Sequence, residues 1–132
     1  MFIAVRYSSK DGNVQKVAQA IGKALDTPVE TVSKALDKHV DALFLGADKA
    51  ADFAQFIGDN ASNIGKIVVF GPGAKIHGEV KSIAASYRVK TAEMPFNWPA
   101  AFLFLNKGHP TDEEVQAAAE FAKKQIKQLS MT

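Results

Sequence analysis

At 132 residues, with 16 Lys and Arg against 14 Asp and Glu, the chain has the size of one domain and too small a positive surplus for a nucleic-acid footprint. Hydrophobic residues make up 47% and charged ones 23%, which argues against a disordered or fibrous chain, and the lack of cysteine excludes disulfides, thiol nucleophiles and thiolate-held zinc or iron–sulfur clusters. No apolar run approaches the roughly 20 residues of a bilayer span and no signal-peptide pattern opens the chain, so a single cytoplasmic domain over residues 1–132, away from membranes, is expected.

In chain order, the apolar run Phe2–Tyr7 predicts a first strand. It runs directly into Ser8-Ser-Lys-Asp-Gly-Asn13, a small polar loop, and then into a helical stripe at Val14, Val17, Ala18, Ile21 and Leu25. A loop of this kind before a helix turns backbone N–H groups toward an anion, and the helix macrodipole adds to the attraction. Pro28–Val32 predicts a short strand near a sheet edge, Ala42–Gly46 a third strand, and Lys49–Ile57 a helix that buries Phe53, Phe56 and Ile57. Lys66–Gly71 predicts the fourth strand, and Val80, Ile83, Ala84 and Tyr87 mark the helix after it. Ala101–Asn106 predicts the fifth strand. The final helix opens at Thr111 with Glu114 three residues on, a capping box, and carries Val115, Ala118, Ala119, Ala122, Ile126 and Leu129 on one face.

Strands that are apolar at consecutive positions suit a sheet buried on both faces. Their alternation with helices implies right-handed crossovers and an open parallel sheet, with ligands bound beyond the carboxyl ends of the strands. The loops at that end are Ser8–Asn13, Ala47–Ala50, Pro72–Gly78 and Met94–Pro99. The three histidines, His39, His77 and His109, show no paired ligand spacing, so no metal site is expected and exposed loop positions are the default for them. Nor does any Ser/His/Asp order or carboxylate pair point to catalytic residues.

Taken together, Ile3–Ala18, Asp41–Gly46, Lys66–Gly73 and Phe102–Pro110 resemble the flavodoxin family over nearly the whole chain and in its order. The resemblance implies an α/β, flavodoxin-like three-layer sandwich, with a five-stranded parallel sheet in the order 2-1-3-4-5 and helices on both faces. It also implies FMN as a non-covalent cofactor, used in electron transfer with a redox partner protein. The cofactor-binding residues it implies are Ser8, Ser9, Lys10, Asp11, Gly12, Asn13 and Val14 of the phosphate loop, Gly71, Pro72 and Gly73 beside the flavin ring, and Trp98.

Two departures from that pattern bear on function. The family's loop resembles Ser/Thr-x-Thr-Gly-Asn-Thr, and Asp11 and Val14 stand where it has the two threonines. Val14 removes a hydroxyl, whereas Asp11 adds a charge that at ~4 Å from each like charge costs about 1 kcal/mol in bulk water and about 4 kcal/mol at an effective dielectric of 20. Its carboxylate equally suits the loop's own N–H groups, as a built-in stand-in for phosphate. Arg6, on the central strand, is read as paired either with Asp11 or with an anionic ligand. The second departure is the short loop Ala47–Ala50, which lacks an aromatic for the flavin ring, so Phe96 and Trp98 become the substitutes. A domain that keeps the fold but has lost FMN, and serves as a binding or interaction module, is the alternative reading.

Overall fold

The computed structural model describes residues 1–8, 12–100 and 108–131. Strands β1 (Ile3–Ser8), β2 (Val29–Thr31), β3 (Ala42–Ala47) and β4 (Lys66–Pro72) form a parallel sheet in the order β2-β1-β3-β4. Two short strands, β5 (Lys90–Thr91) and β6 (Phe96–Trp98), both run parallel to β4. β5 pairs with Lys66 and Ile67 and β6 with Phe70 to Pro72, so together they make one interrupted fifth strand that bulges over residues 92–95.

This corrects one expectation from the sequence. The fifth sheet position is filled by residues 90–98, which take in most of Met94–Pro99, expected as a loop; the run Ala101–Asn106, expected as the fifth strand, lies outside the described residues. The two prolines and the break in apolar pattern hide the strand, because backbone pairing at a sheet edge needs only one row of hydrogen bonds.

Alternation along the strands separates two cores. Val5, Ala42, Phe44, Val68 and Phe70 point to the face covered by α1 (Gly12–Ala24) and α4 (Asp112–Ser130). Ala4, Leu43, Leu45, Ile67 and Val69 point to the other, covered by α2 (Ala54–Asn60) and α3 (Lys75–Ser86). The result is three layers, helices on sheet on helices. Gly46 is required within this packing, because a β-carbon there would fall inside the ring of Phe70 on the next strand. The helix predicted from Lys49 begins as a 3-10 turn at Ala50–Phe53 and becomes α-helical at Ala54.

The crossover from β2 to β3 carries no helix among its residues and passes across the α2 and α3 face beneath β1. Its backbone groups therefore lack the partners a helix would supply, and side chains from neighbouring elements serve them. Arg6 Nε donates to Lys34 O at 3.0 Å, Leu36 N donates to Asn60 Oδ1 at 2.9 Å, and Asn63 Nδ2 donates to Leu36 O at 3.4 Å. Val32 N donates to Tyr7 O at 3.0 Å and ties the start of the crossover to β1. These contacts explain a charged residue on a central strand: Arg6 is buried as the donor for an irregular segment.

Candidate functional site

A crevice of about 280 Å³ opens beyond the carboxyl ends of β3, β4 and β6. Among the described residues its lining is Asn13 from the start of α1, Asp48 after β3, Pro72 at the end of β4, Trp98, Pro99 and Ala100 at and beyond β6, and His109 before α4. It lies on the edge of the region where the strand order reverses, between β1 and β3, which is where open α/β sheets bind ligands. Its composition is mixed: proline, alanine and indole walls, with an amide, a carboxylate and an imidazole among them. Its volume falls just below the usual range for ligand sites, about 300–1,000 Å³.

Three of the residues implied by the sequence meet in this crevice, namely Asn13, Pro72 and Trp98. Gly12 lies beside them as the exposed first residue of α1. Gly71 and Gly73 flank Pro72, and Gly73, with φ of 76°, adopts the left-handed conformation that glycine tolerates best. Their turn is pinned to β6: Gly73 N donates to Trp98 O at 2.8 Å. The Asn97 amide, oriented to suit its surroundings, donates to Gly71 O at 3.2 Å and Gly73 O at 3.0 Å.

Ser8, at the end of β1, is engaged by Asp52, to which its hydroxyl donates at 3.3 Å. Val14 is fully buried in the core under α1, so at the phosphate loop it offers backbone alone. Ser9, Lys10 and Asp11 lie outside the described residues.

Trp98 is 3% exposed and belongs to the core between the sheet and α4, with Phe96 at 6.3 Å between ring centroids and Phe121 beyond it at 5.7 Å from Phe96. It is a wall anchored in the core, not a lid over the crevice. Arg6 does not reach toward the crevice either. Its Nε and Nη1 donate to the carbonyls of Lys34 and Val5, and burial pushes its pKa below the ordinary value while Glu30 and Asp37 oppose that shift. Lys75 and His77, read as polar loop side chains, fall in the first turn of α3, and His77 Nε2 meets Ala92 O at 2.9 Å across the interrupted fifth strand.

Sequence reasoning missed His109. Its Nδ1 lies 2.6 Å from Glu114 Oε1, and the same oxygen accepts from Thr111 N at 2.8 Å, while Thr111 Oγ1 accepts from Glu114 N at 3.1 Å. The hydrogen bond from His109, then that from Thr111, hold the Glu114 carboxyl below the usual carboxylate range. The signal was present in part, as the capping box itself, but a histidine five residues before the box glutamate has no recognised spacing. Asp48, by contrast, lay in a loop already assigned to the correct end of the sheet. Among the described residues no group of three His, Asp or Glu side chains gathers as metal ligands, and no helix is long and apolar enough to cross a membrane.

Compared with models of known protein families and with curated protein sequences, the chain matches none. Solved structures do match. A flavodoxin from the domain Archaea aligns over 98% of this chain and 99% of its own, with a TM-score of 0.77 and 15% identity. Oxidised flavodoxin 2 from Bacillus cereus aligns over 97% and 99%, with a TM-score of 0.62 and 20% identity. Rubredoxin oxygen:oxidoreductase from Desulfovibrio gigas matches over 98% of this chain but 36% of its own, with a TM-score of 0.70 and 11% identity. With its parallel sheet in the order β2-β1-β3-β4-β5, β6 also on β4, and helices on both faces, the chain has a flavodoxin-like fold.

Proposed function

We propose that the protein binds FMN non-covalently at the crevice and exchanges electrons with a redox partner protein, in the cytoplasm. The observation that carries the reading is the position of the crevice: beyond the strand carboxyl ends, beside the N-terminus of α1, in a fold shared with flavodoxins along their whole length. The residues present suit such a ligand. Apolar walls at Pro72, Trp98 and Pro99 accommodate a flat ring, and Gly12 and Asn13 stand at the positive end of α1, which favours a phosphate. When bound, the flavin supplies the redox chemistry, and the protein's part is to hold it, orient it and limit its access to water.

A second reading, a cofactor-free binding module, is favoured by Asp48 in the crevice lining together with Asp11 in the loop sequence. Carboxylates near a phosphate dianion oppose its binding. The visible spectrum of the purified protein and a titration with FMN separate the two. Co-purifying flavin bands or strong quenching of FMN fluorescence are expected. An unchanged melting temperature and unquenched fluorescence at millimolar FMN would leave only the binding module.

A further inference from the structure

We infer that His109 is a ligand-contacting residue of the crevice and that Glu114 is the positioning residue which sets its ring. The inference rests on the FMN reading above. His109 lines the crevice, and its Nδ1 is engaged by Glu114 at 2.6 Å. Because the depressed pKa of Glu114 keeps that carboxylate ionised and accepting, the proton between them belongs on Nδ1, and Nε2 is the ring nitrogen left to serve the crevice.

Helix capping does not explain this arrangement. The capping box of α4 is closed by the two bonds that Thr111 and Glu114 exchange, without His109, and Asp112, Glu113 and Glu114 already complement the helix dipole. The contribution of the His109 pairing to stability is modest, since the His109 and Glu114 side chains remain 30% and 27% exposed to solvent. What the pairing does achieve is to hold an imidazole in one orientation at a ligand crevice. The charged groups around it are Asp48 from the end of β3, Lys16 from α1 paired with Asp112 at 3.6 Å, and the acidic first turn of α4. Nε2 accepts from a hydroxyl when the ring is neutral and donates to an oxygen when it is protonated, both of which a flavin nucleotide presents.

The test uses the full chain freed of flavin and titrated with FMN, with flavin fluorescence and the His109 ring proton signals recorded together. His109→Ala is expected to weaken FMN binding about tenfold, the loss of one good hydrogen bond, and in the wild type the His109 signals should move as FMN is added. Glu114→Gln should reproduce part of the loss. Thr111→Ala keeps the backbone donor to Glu114, so it should lower the melting temperature with affinity retained, which separates ring positioning from helix capping. If the wild type binds FMN while His109→Ala binds it equally well and the ring signals stay fixed, the inference is overturned and the FMN reading stands. If the wild type takes no FMN, both fall.

Discussion

The two faces of the sheet solve the same problem by different means. On the α1 and α4 face, both helices satisfy their own backbones, so what reaches the sheet is side chain alone: Val14, Val17, Ala18 and Ile21 from α1, Ala118 and Ala122 from α4. On the opposite face the β2 to β3 crossover is irregular, and Arg6, Asn60 and Asn63 are recruited to bond its carbonyl and amide groups. A polar residue in the interior is here a consequence of missing helix, and not by itself a sign of ligand. The crevice lies at neither face but at the carboxyl ends, where strands stop and backbone is left for other partners.

Truncations on the two faces should therefore fail differently. Phe70→Ala, on the α1 and α4 face, removes a fully buried ring packed over Gly46 and should cost about 3–5 kcal/mol in urea unfolding, with a cavity left behind. A loss under about 1 kcal/mol would mean that this core collapses freely. Asn60→Ala, on the other face, strips the acceptor from Leu36 N and should cost about 1–3 kcal/mol. Its distinguishing mark is local: amide exchange at Leu36 should accelerate far more than exchange in β1, and a uniform acceleration would contradict the account of the crossover.

The smallest effect belongs to pH. Because the folded pKa of Glu114 is depressed, its contribution is present above the ordinary carboxylate range and is lost as pH falls through that range to the lower folded value. Stability should thus decline on acidification below the unfolded carboxylate pKa of about 4.3. Glu114→Gln should make that part of the profile flatter, as read from melting temperatures across pH; an unaltered slope would show that the interaction adds nothing to folding.

Much of the architecture was legible because it depends on periodicity. Consecutive apolar positions in Phe2–Tyr7, Ala42–Gly46 and Lys66–Gly71 place strands buried on both sides, and the observed β1, β3 and β4 begin or end within one residue of them. The Thr111 box is equally local, and it forms. β5 and β6 were not legible: Lys90–Thr91 and Phe96–Trp98 have no pattern of their own and become strands only because β4 offers an open edge. At the site, Asn13 and Pro72 followed from their positions after strands, whereas His109 entered the crevice through a folding of the chain before α4 that no spacing rule encodes.

By itself the sequence determined the order of the first four strands and of the helices, the apolar faces of the helices, the start of α4, and that Ala47–Ala50 and the start of α1 lie beyond the carboxyl ends of strands, because each of these follows from side-chain chemistry within a few residues. Only the tertiary structure decided that Arg6 serves the backbone of Lys34 and Val5, that Trp98 is a core wall, and that Asp48 and His109 share a crevice with Asn13. These depend on which segments, distant in the chain, come to lie together, and hydrogen bonds to a crossover or across a crevice leave no trace in local periodicity.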